Sequence, residues 1–182
     1  MRVLFDTNVV LDVLLERDSH ARPAAQLMSL VDQGHLEGYL CATTVTTVHY
    51  LAAKALGTKR AASLVATLLD VFHIAPVDRE VVVGALELGF ADFEDAVIHE
   101  AAALAGATAI VTRNGRDFKG ATIAVFAPAE MLAAACASEA LGVAGEVAET
   151  YAVALDPPMS VGQARGFLAG IDSDFHREPD RF

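Results

Sequence analysis

Short apolar runs that stop abruptly at polar residues, each followed by a stretch of helical spacing, constrain this chain more than any other feature. Arg2 to Phe5 is the first such run and ends at Asp6-Thr7-Asn8, as a buried strand feeding a helix does. Ala24, Leu27, Met28 and Val31 then share one helical face of Ala21 to Val31, with Gly34 beyond as a stop signal. Tyr39 to Ala42 reads as a strand, and Thr43-Thr44 offers caps for a helix through Val45, Val48, Leu51, Ala52 and Ala55, closed by Gly57. Thr58 is placed to cap a further helix carrying Ala61, Leu64, Val65 and Leu68, which ends near Asp70 before a strand from Phe72 to Val77. Asp78 caps the next helix, to about Leu88. Asp92 to Ala105 has apolar residues at Phe93, Ala96, Val97, Ala101 and Leu104, and Gly106 ends it before the strand Ala109-Ile110-Val111. Thr122 to Phe126 is the last strand, and Pro128 opens a helix through Ala135. No two strands are joined by a tight hairpin, so right-handed crossovers and a parallel sheet follow. The expected class is α/β: a three-layer α/β/α sandwich around a central parallel sheet of four to five strands.

A chain of 182 residues, 54% hydrophobic and 20% charged, suits one core and is too apolar for disorder. The pattern loosens after about Ala137: Pro157-Pro158 breaks one helical stretch and Gly166 interrupts another. The expected organisation is a domain over residues 1–136 and a helical or partly disordered extension over 137–182. No apolar stretch escapes interruption by charge, so no membrane span is expected. Asp6 interrupts the terminus before a signal sequence forms, and two cysteines make no disulfide framework, so a cytoplasmic setting is expected. Thirteen basic against 24 acidic residues give a net charge of −11, which disfavours holding a polyanion by bulk charge. Local basic groups stand around Lys54, Lys59 and Arg60 and around Arg113, Arg116 and Lys119, where a solvated face is the plainer reading.

In an open parallel sheet, ligands bind beyond the carboxyl ends of the strands, where the winding reverses. Asp6, Thr7 and Asn8 follow the first strand there, and Thr112, Arg113, Asn114 and Asp117 follow Ala109 to Val111. The helix starting near Asp92 brings Asp92, Glu94 and Asp95 to the same edge. Three segments thus deliver carboxylates to one rim, where mutual repulsion calls for a cation. Oxygen ligands without a zinc-type Cys and His set point to Mg²⁺ or Mn²⁺, and phosphodiester hydrolysis is the reaction such a rim fits best. Each residue also has a plainer role. Asp6 and Thr7 are good helix caps, Asp95 suits a helix dipole, Asp117 suits an Asx-turn, and Asp12 reads as solvated or salt-bridged. His99 has no second histidine at zinc-protease spacing and reads as structural.

Val3-Leu4-Phe5-Asp6-Thr7-Asn8-Val9-Val10-Leu11-Asp12, Asp92-Phe93-Glu94-Asp95-Ala96 and Val111-Thr112-Arg113-Asn114-Gly115-Arg116-Asp117-Phe118 together resemble the PIN-domain family of VapC-type toxin ribonucleases, over roughly residues 1–132. The resemblance implies a metal-dependent ribonuclease that cuts single-stranded or structured RNA, is commonly homodimeric and is often controlled by an antitoxin. It makes Asp6 the first metal-binding aspartate and Asp95 the later one. The last acidic position falls at Asn114 or, where relatives have asparagine there, at Asp117. Thr112 and Asn114 would orient water or phosphate at the metal. Relatives usually supply a glutamate near the start of the helix at Thr43 to Leu51, and this chain has none there, a trait resembling one Thr-rich subgroup. Glu94 or Asp92 is expected to compensate, and the loss weakens the case for two bridged ions.

Two competing classes remain. A phosphoacceptor or phosphatase domain wants a second acidic residue where Asn8 stands, and a dinucleotide fold wants a glycine fingerprint that is missing after the first strand. A PIN-like interaction module without catalysis accommodates both the missing glutamate and the net acidity. The tail is expected to cover a dimer surface, with a lesser expectation that Arg165, Arg177 or Arg181 folds back onto the acidic rim. No tryptophan and only 7% aromatic residues leave few stacking platforms for single-stranded RNA.

Overall fold

The structure is a computed structural model and describes residues 1–15 and 20–142. Chain order is β1 (Arg2–Phe5), α1 (Thr7–Leu14), α2 (Ala21–Asp32), β2 (Glu37–Cys41), α3 (Ala42–Leu56), α4 (Thr58–Val71), β3 (His73–Ala75), α5 (Arg79–Leu88), α6 (Phe93–Leu104), β4 (Ala109–Val111), β5 (Ala124–Phe126) and α7 (Pro128–Gly142). The five strands form one sheet in the order β3-β2-β1-β4-β5, and every pairing is parallel. The expected three-layer sandwich is thereby realised. Among the described residues no helix is long and apolar enough to cross a membrane.

Alternation along β1 divides the core. Val3 and Phe5 point into one apolar cluster with Val9, Leu27, Met28, Val48, Leu64, Leu68 and Met131, which come from α1 to α4 and α7. Leu4 points to the other face and packs with Ile110 of β4 and with Val81, Ala85, Val97 and Ile98 from α5 and α6. A central strand buried on both faces reads as a continuous apolar run, which is why Val3-Leu4-Phe5 needs no polar alternation.

Element ends differ from expectation where a hydrogen bond, not a propensity, sets the limit. Cys41 occupies the N-cap of α3, so Thr43 and Thr44 lie inside the helix and cap nothing. Gly57 replaces Thr58 as the cap of α4: at φ +86° its N–H donates to the Ala53 carbonyl, closing α3, and its own carbonyl accepts from Ala61, opening α4. β3 stops at Ala75 because its partner β2 stops at Cys41. β5 begins at Ala124, opposite Ala109, where pairing with β4 begins. The cap at Asp78 is present, its Oδ1 accepting from the Val81 N–H at 3.1 Å. α7 continues past Ala135 to Gly142, across the expected boundary at 136. The rest of the extension, including Arg165, Arg177 and Arg181, lies outside the described residues.

Gly38 in β2 sits beneath α2 and Phe72, where a Cβ would lie 2.6 Å from Val31 Cγ1 and 2.8 Å from the Phe72 ring. Gly38→Ala is expected to cost about 2 kcal/mol by overpacking, a Tm drop of roughly 4–8 °C. Gly115→Ala, whose Cβ would meet only Val125 Cγ1 at 3.8 Å, should leave Tm within about 2 °C by the same measurement.

Candidate active site

β1 and β4 are neighbours at the centre of the sheet, with Phe5 opposite Val111. The ladder runs one residue further, since the Asp6 N–H donates to the Val111 carbonyl at 2.9 Å. Asp6 is therefore set beside Thr112 by backbone pairing alone. The Thr112 hydroxyl donates to Asp6 Oδ2 at 2.6 Å and accepts from Asn8 Nδ2 at 3.1 Å and from the Asn114 N–H at 2.9 Å. One donor and two acceptor positions exhaust a hydroxyl, so its proton is committed to Asp6. Asn8 Nδ2 also donates to Asp6 Oδ2 at 2.5 Å, and Asn8 Oδ1 accepts from the Arg113 N–H at 3.1 Å, which determines the orientation of the amide. Asp6 stands at the N-cap of α1 without a side-chain capping bond; its carboxylate faces the rim.

α6 brings the second carboxylate. Asp92 caps this helix, its Oδ1 accepting from the Glu94 N–H at 2.8 Å, and Asp95 follows in the first turn. Asp95 is half-buried, and its pKa is pushed up to about 7, first by burial and then by the charges of Asp6, Asp92, Asp117 and Glu94. Asp6 is raised as well, by burial and by Glu94, against the Thr112 hydrogen bond and the amides of Thr7 and Asn8. Four carboxylates from three segments thus bear on Asp95 across the rim, and one of them, Glu94, bears on Asp6 as well. Glu94, Asp117 and Asn114 are exposed on it, and the Asp117 N–H donates to the Asn114 carbonyl at 2.9 Å. Among the described residues no three carboxylate, imidazole or thiolate groups close around a single point. That donor set still fits Mg²⁺ or Mn²⁺, because Mg²⁺ keeps several waters and is held by one or two protein carboxylates together with substrate phosphate. Asp6 and Asp95 are the two best placed, as the pair with carboxyl pKa values raised by proximity and burial.

Two contacts at the rim join residues far apart in the chain, and the first realises the salt-bridged alternative for Asp12. Asp12 is fully buried in α1 and ion-paired with Arg113, Nε to Oδ2 2.9 Å. Its position within an amphipathic helix does not identify the partner, which comes from the segment after β4. The pair also takes up the charge of Arg113, which leaves Arg116 and Lys119 as the basic residues of that group. Near the start of α3, where a glutamate is absent, the buried Thr44 places its hydroxyl 3.0 Å from that of Thr7. A hydroxyl pair thus links α3 to Thr7, the residue after Asp6, without adding charge. Asn8 was legible only as one polar residue of the rim, and its bonds to Asp6 and Thr112 make it a member of the site.

A parallel sheet with clustered carboxylates beyond two adjacent central strands defines a class of acidic-site α/β domains, and sequence comparison narrows it. The profile of the PIN domain matches residues 2–116, and the chain belongs to that family. No curated protein matches the sequence. Among solved structures, FitAcB from Neisseria gonorrhoeae is 28% identical with a TM-score of 0.55, covering 69% of this chain and 97% of that one. A toxin-antitoxin complex from Klebsiella pneumoniae is 24% identical with a TM-score of 0.53 over 69% and 97% of the two chains. VapBC2 from Rickettsia felis, bound to a DNA fragment from its promoter, is 15% identical with a TM-score of 0.56 over 70% and 98%. The last two likenesses establish the fold.

Asp95 titrates near 7 in the folded chain against 3.8 for a free carboxyl, so between those values the folded state holds the extra proton. Stability of the metal-free protein is therefore expected to be fullest below about pH 4 and to fall as pH rises towards 7, with Asp6 contributing in the same direction. Asp95→Asn should remove most of this slope and raise Tm at pH 7.5 by roughly 4–8 °C, about 2 kcal/mol after discounting for solvent screening. Thermal melts across pH in chelator decide it; an unchanged slope in the variant refutes the coupling. Arg113→Leu, which removes the guanidinium paired with the buried Asp12, is expected to cost about 3 kcal/mol in urea unfolding. Combined with Asp12→Leu the loss should be smaller than the sum of the two.

Proposed function

We propose that this chain is a metal-dependent endoribonuclease that hydrolyses phosphodiester bonds of single-stranded RNA, as the toxin of a toxin-antitoxin pair. The observation that carries the reading is the gathering of Asp6 and Asp95 on one rim with Asp92, Glu94 and Asp117: burial and the charges of the other four push the Asp95 carboxyl up to about 7, and burial and Glu94 raise Asp6. Membership of the PIN-domain family and 28% identity to FitAcB support it. The toxin-antitoxin complex from Klebsiella pneumoniae, with the same fold, supports an antitoxin partner. The nuclease domain is assigned to residues 1–136, acting as a homodimer in the cytoplasm.

Asp6 and Asp95 would hold Mg²⁺ or Mn²⁺, with Asp117 as the third acidic position. Glu94 stands in for the carboxylate that α3 lacks, because it bears on both Asp6 and Asp95, whereas one oxygen of Asp92 is committed to the helix cap. When bound, the cation neutralises the rim, activates water for attack on phosphorus and offsets charge on the leaving oxygen. Thr112 holds Asp6 in one orientation through its committed proton, and Asn8 prevents that carboxylate from rotating. Asn114, fixed through its backbone N–H to Thr112, presents its exposed side chain to a phosphate. With Arg113 committed to Asp12, Arg116 and Lys119 are the members of that basic group, among the described residues, left to bind the RNA backbone, which makes substrate binding depend on the ion and on a partner surface.

One observation favours a second reading, a PIN-like interaction module without catalysis: Thr44 and Thr7 present hydroxyls where a further carboxylate would help to hold a metal. Calorimetric titration of Mn²⁺ into the wild type and Asp95→Asn, followed by incubation of both with a mixed single-stranded RNA pool, separates the two. A nuclease binds Mn²⁺ and cuts RNA, and the variant loses at least about a hundredfold in rate, the scale of removing a group that stabilises transition-state charge. Glu94→Gln should weaken Mn²⁺ binding to a lesser degree. A wild type that binds no Mn²⁺ establishes the interaction module instead.

A further inference from the structure

His99 is 1% exposed in the middle of α6, one helical turn beyond Asp95, and the chemistry proposed above leaves it unused. Both of its ring nitrogens are engaged. Nε2 lies 3.0 Å from the Thr122 backbone nitrogen and 3.2 Å from the Thr122 hydroxyl, and Nδ1 lies 2.9 Å from Glu100 Oε1. A backbone N–H can only donate, so Nε2 must present its lone pair and the ring proton sits on Nδ1, directed at Glu100. Glu100 fits against a glycine: a Cβ on Gly84 of α5 would lie 2.6 Å from Glu100 Oε2, so the space its carboxylate occupies depends on the missing side chain. Phe90 packs edge-on against both His99 and Phe118, with centroids 5.6 and 6.1 Å away.

Thr122 and Phe118 belong to the segment between β4 and β5 that carries Asn114 and Asp117. Its near end is tied to Asp6 through Thr112, and its far end is tied to α6 through His99 and to the core through Phe118. Asp117 lies between these anchors, and Asp95 lies on the helix that supplies the second one. Burying an imidazole costs free energy unless both nitrogens are satisfied, and an aliphatic residue would fill the space without that condition. A satisfied imidazole adds what an aliphatic residue cannot, a directional bond from α6 to the backbone of this segment.

We propose that His99 is a positioning residue for the nuclease site: held in one tautomer by Glu100 in the Gly84 notch, it fixes the Thr122 backbone and so sets Asp117 against Asp95. The inference rests on the nuclease reading of this site. Its test compares His99→Gln, which retains an acceptor for the Thr122 N–H, with His99→Phe, which fills similar volume and has none. Three readouts are taken on the full chain: hydrogen exchange of the Thr122 amide, Mn²⁺ affinity, and kcat and KM on single-stranded RNA with Mn²⁺. His99→Phe is expected to expose the Thr122 amide and lower kcat by about ten- to a hundredfold, the cost of misplacing a site by a fraction of an ångström, with KM within about twofold. Mn²⁺ affinity should fall with kcat, and His99→Gln should restore all three. Gly84→Ala keeps His99 and serves where His99→Phe fails to fold. It displaces the Glu100 carboxylate, and the imidazole ¹⁵N shifts should lose the signature of the Nδ1–H tautomer as kcat drops. A His99→Phe protein that loses Thr122 protection but keeps wild-type kcat and Mn²⁺ affinity overturns the positioning role, as does failure of His99→Gln to restore them. A wild type that neither binds Mn²⁺ nor cuts RNA overturns the nuclease reading first, and the positioning role with it.

Discussion

The Thr112 hydroxyl gives its single proton to Asp6 and receives protons from Asn8 and from the Asn114 backbone, and the rim is organised around it. These bonds form only because β1 and β4 are adjacent and in a register that sets Asp6 beside Thr112. A slip of one residue would turn Leu4 and Phe5 to opposite cores and remove Asp6 from Thr112 in the same step. Stability and site geometry therefore share one constraint. The two apolar clusters hold the register, and the register holds the carboxylate.

Charge works against that arrangement. Asp6 is buried and Asp95 half-buried; burial and Glu94 raise the first carboxyl, burial and the charges of Asp6, Asp92, Asp117 and Glu94 raise the second, so ionising the rim is destabilising at neutral pH. The surrounding structure meets the cost with rigid neighbours. The buried Asp12–Arg113 pair ties α1 to the segment after β4, and the Arg113 backbone holds the Asn8 amide that steadies Asp6. On the opposite layer, His99 and Phe118 anchor the far end of the same segment. The acidic rim is thus held from both layers, although the segment itself is a loop.

Much of the fold was legible because its signals are local. Val3-Leu4-Phe5 and Ala109-Ile110-Val111 read as strands by apolarity, Asp78 as a cap by residue type, and Gly57 as the end of α3 by its place after an amphipathic run. Errors arose where a local preference met a tertiary alternative. Thr43 and Thr44 have capping chemistry, yet Cys41 takes that position, and Thr44 is turned inward to the hydroxyl of Thr7. Thr58 yields to Gly57 because a residue at positive φ can end one helix and begin the next. Asp12 shows the limit of local reading in another way: an aspartate in a helix reads as solvated or salt-bridged, and only the fold decides for the salt bridge and supplies Arg113 as its partner.

The sequence by itself determined the alternation of strands and helices, the parallel character of the sheet, and the placement of Asp6, Thr112 and Asp95 at element ends, because periodicity, caps and breakers act within a few residues. Tertiary structure alone decided that β1 lies between β2 and β4, that Arg113 neutralises Asp12, and that His99 meets Thr122 through one tautomer. Those contacts join residues far apart in the chain, and their energies depend on which strands become neighbours and which groups lose water together. Neither condition is written in any local stretch of the chain.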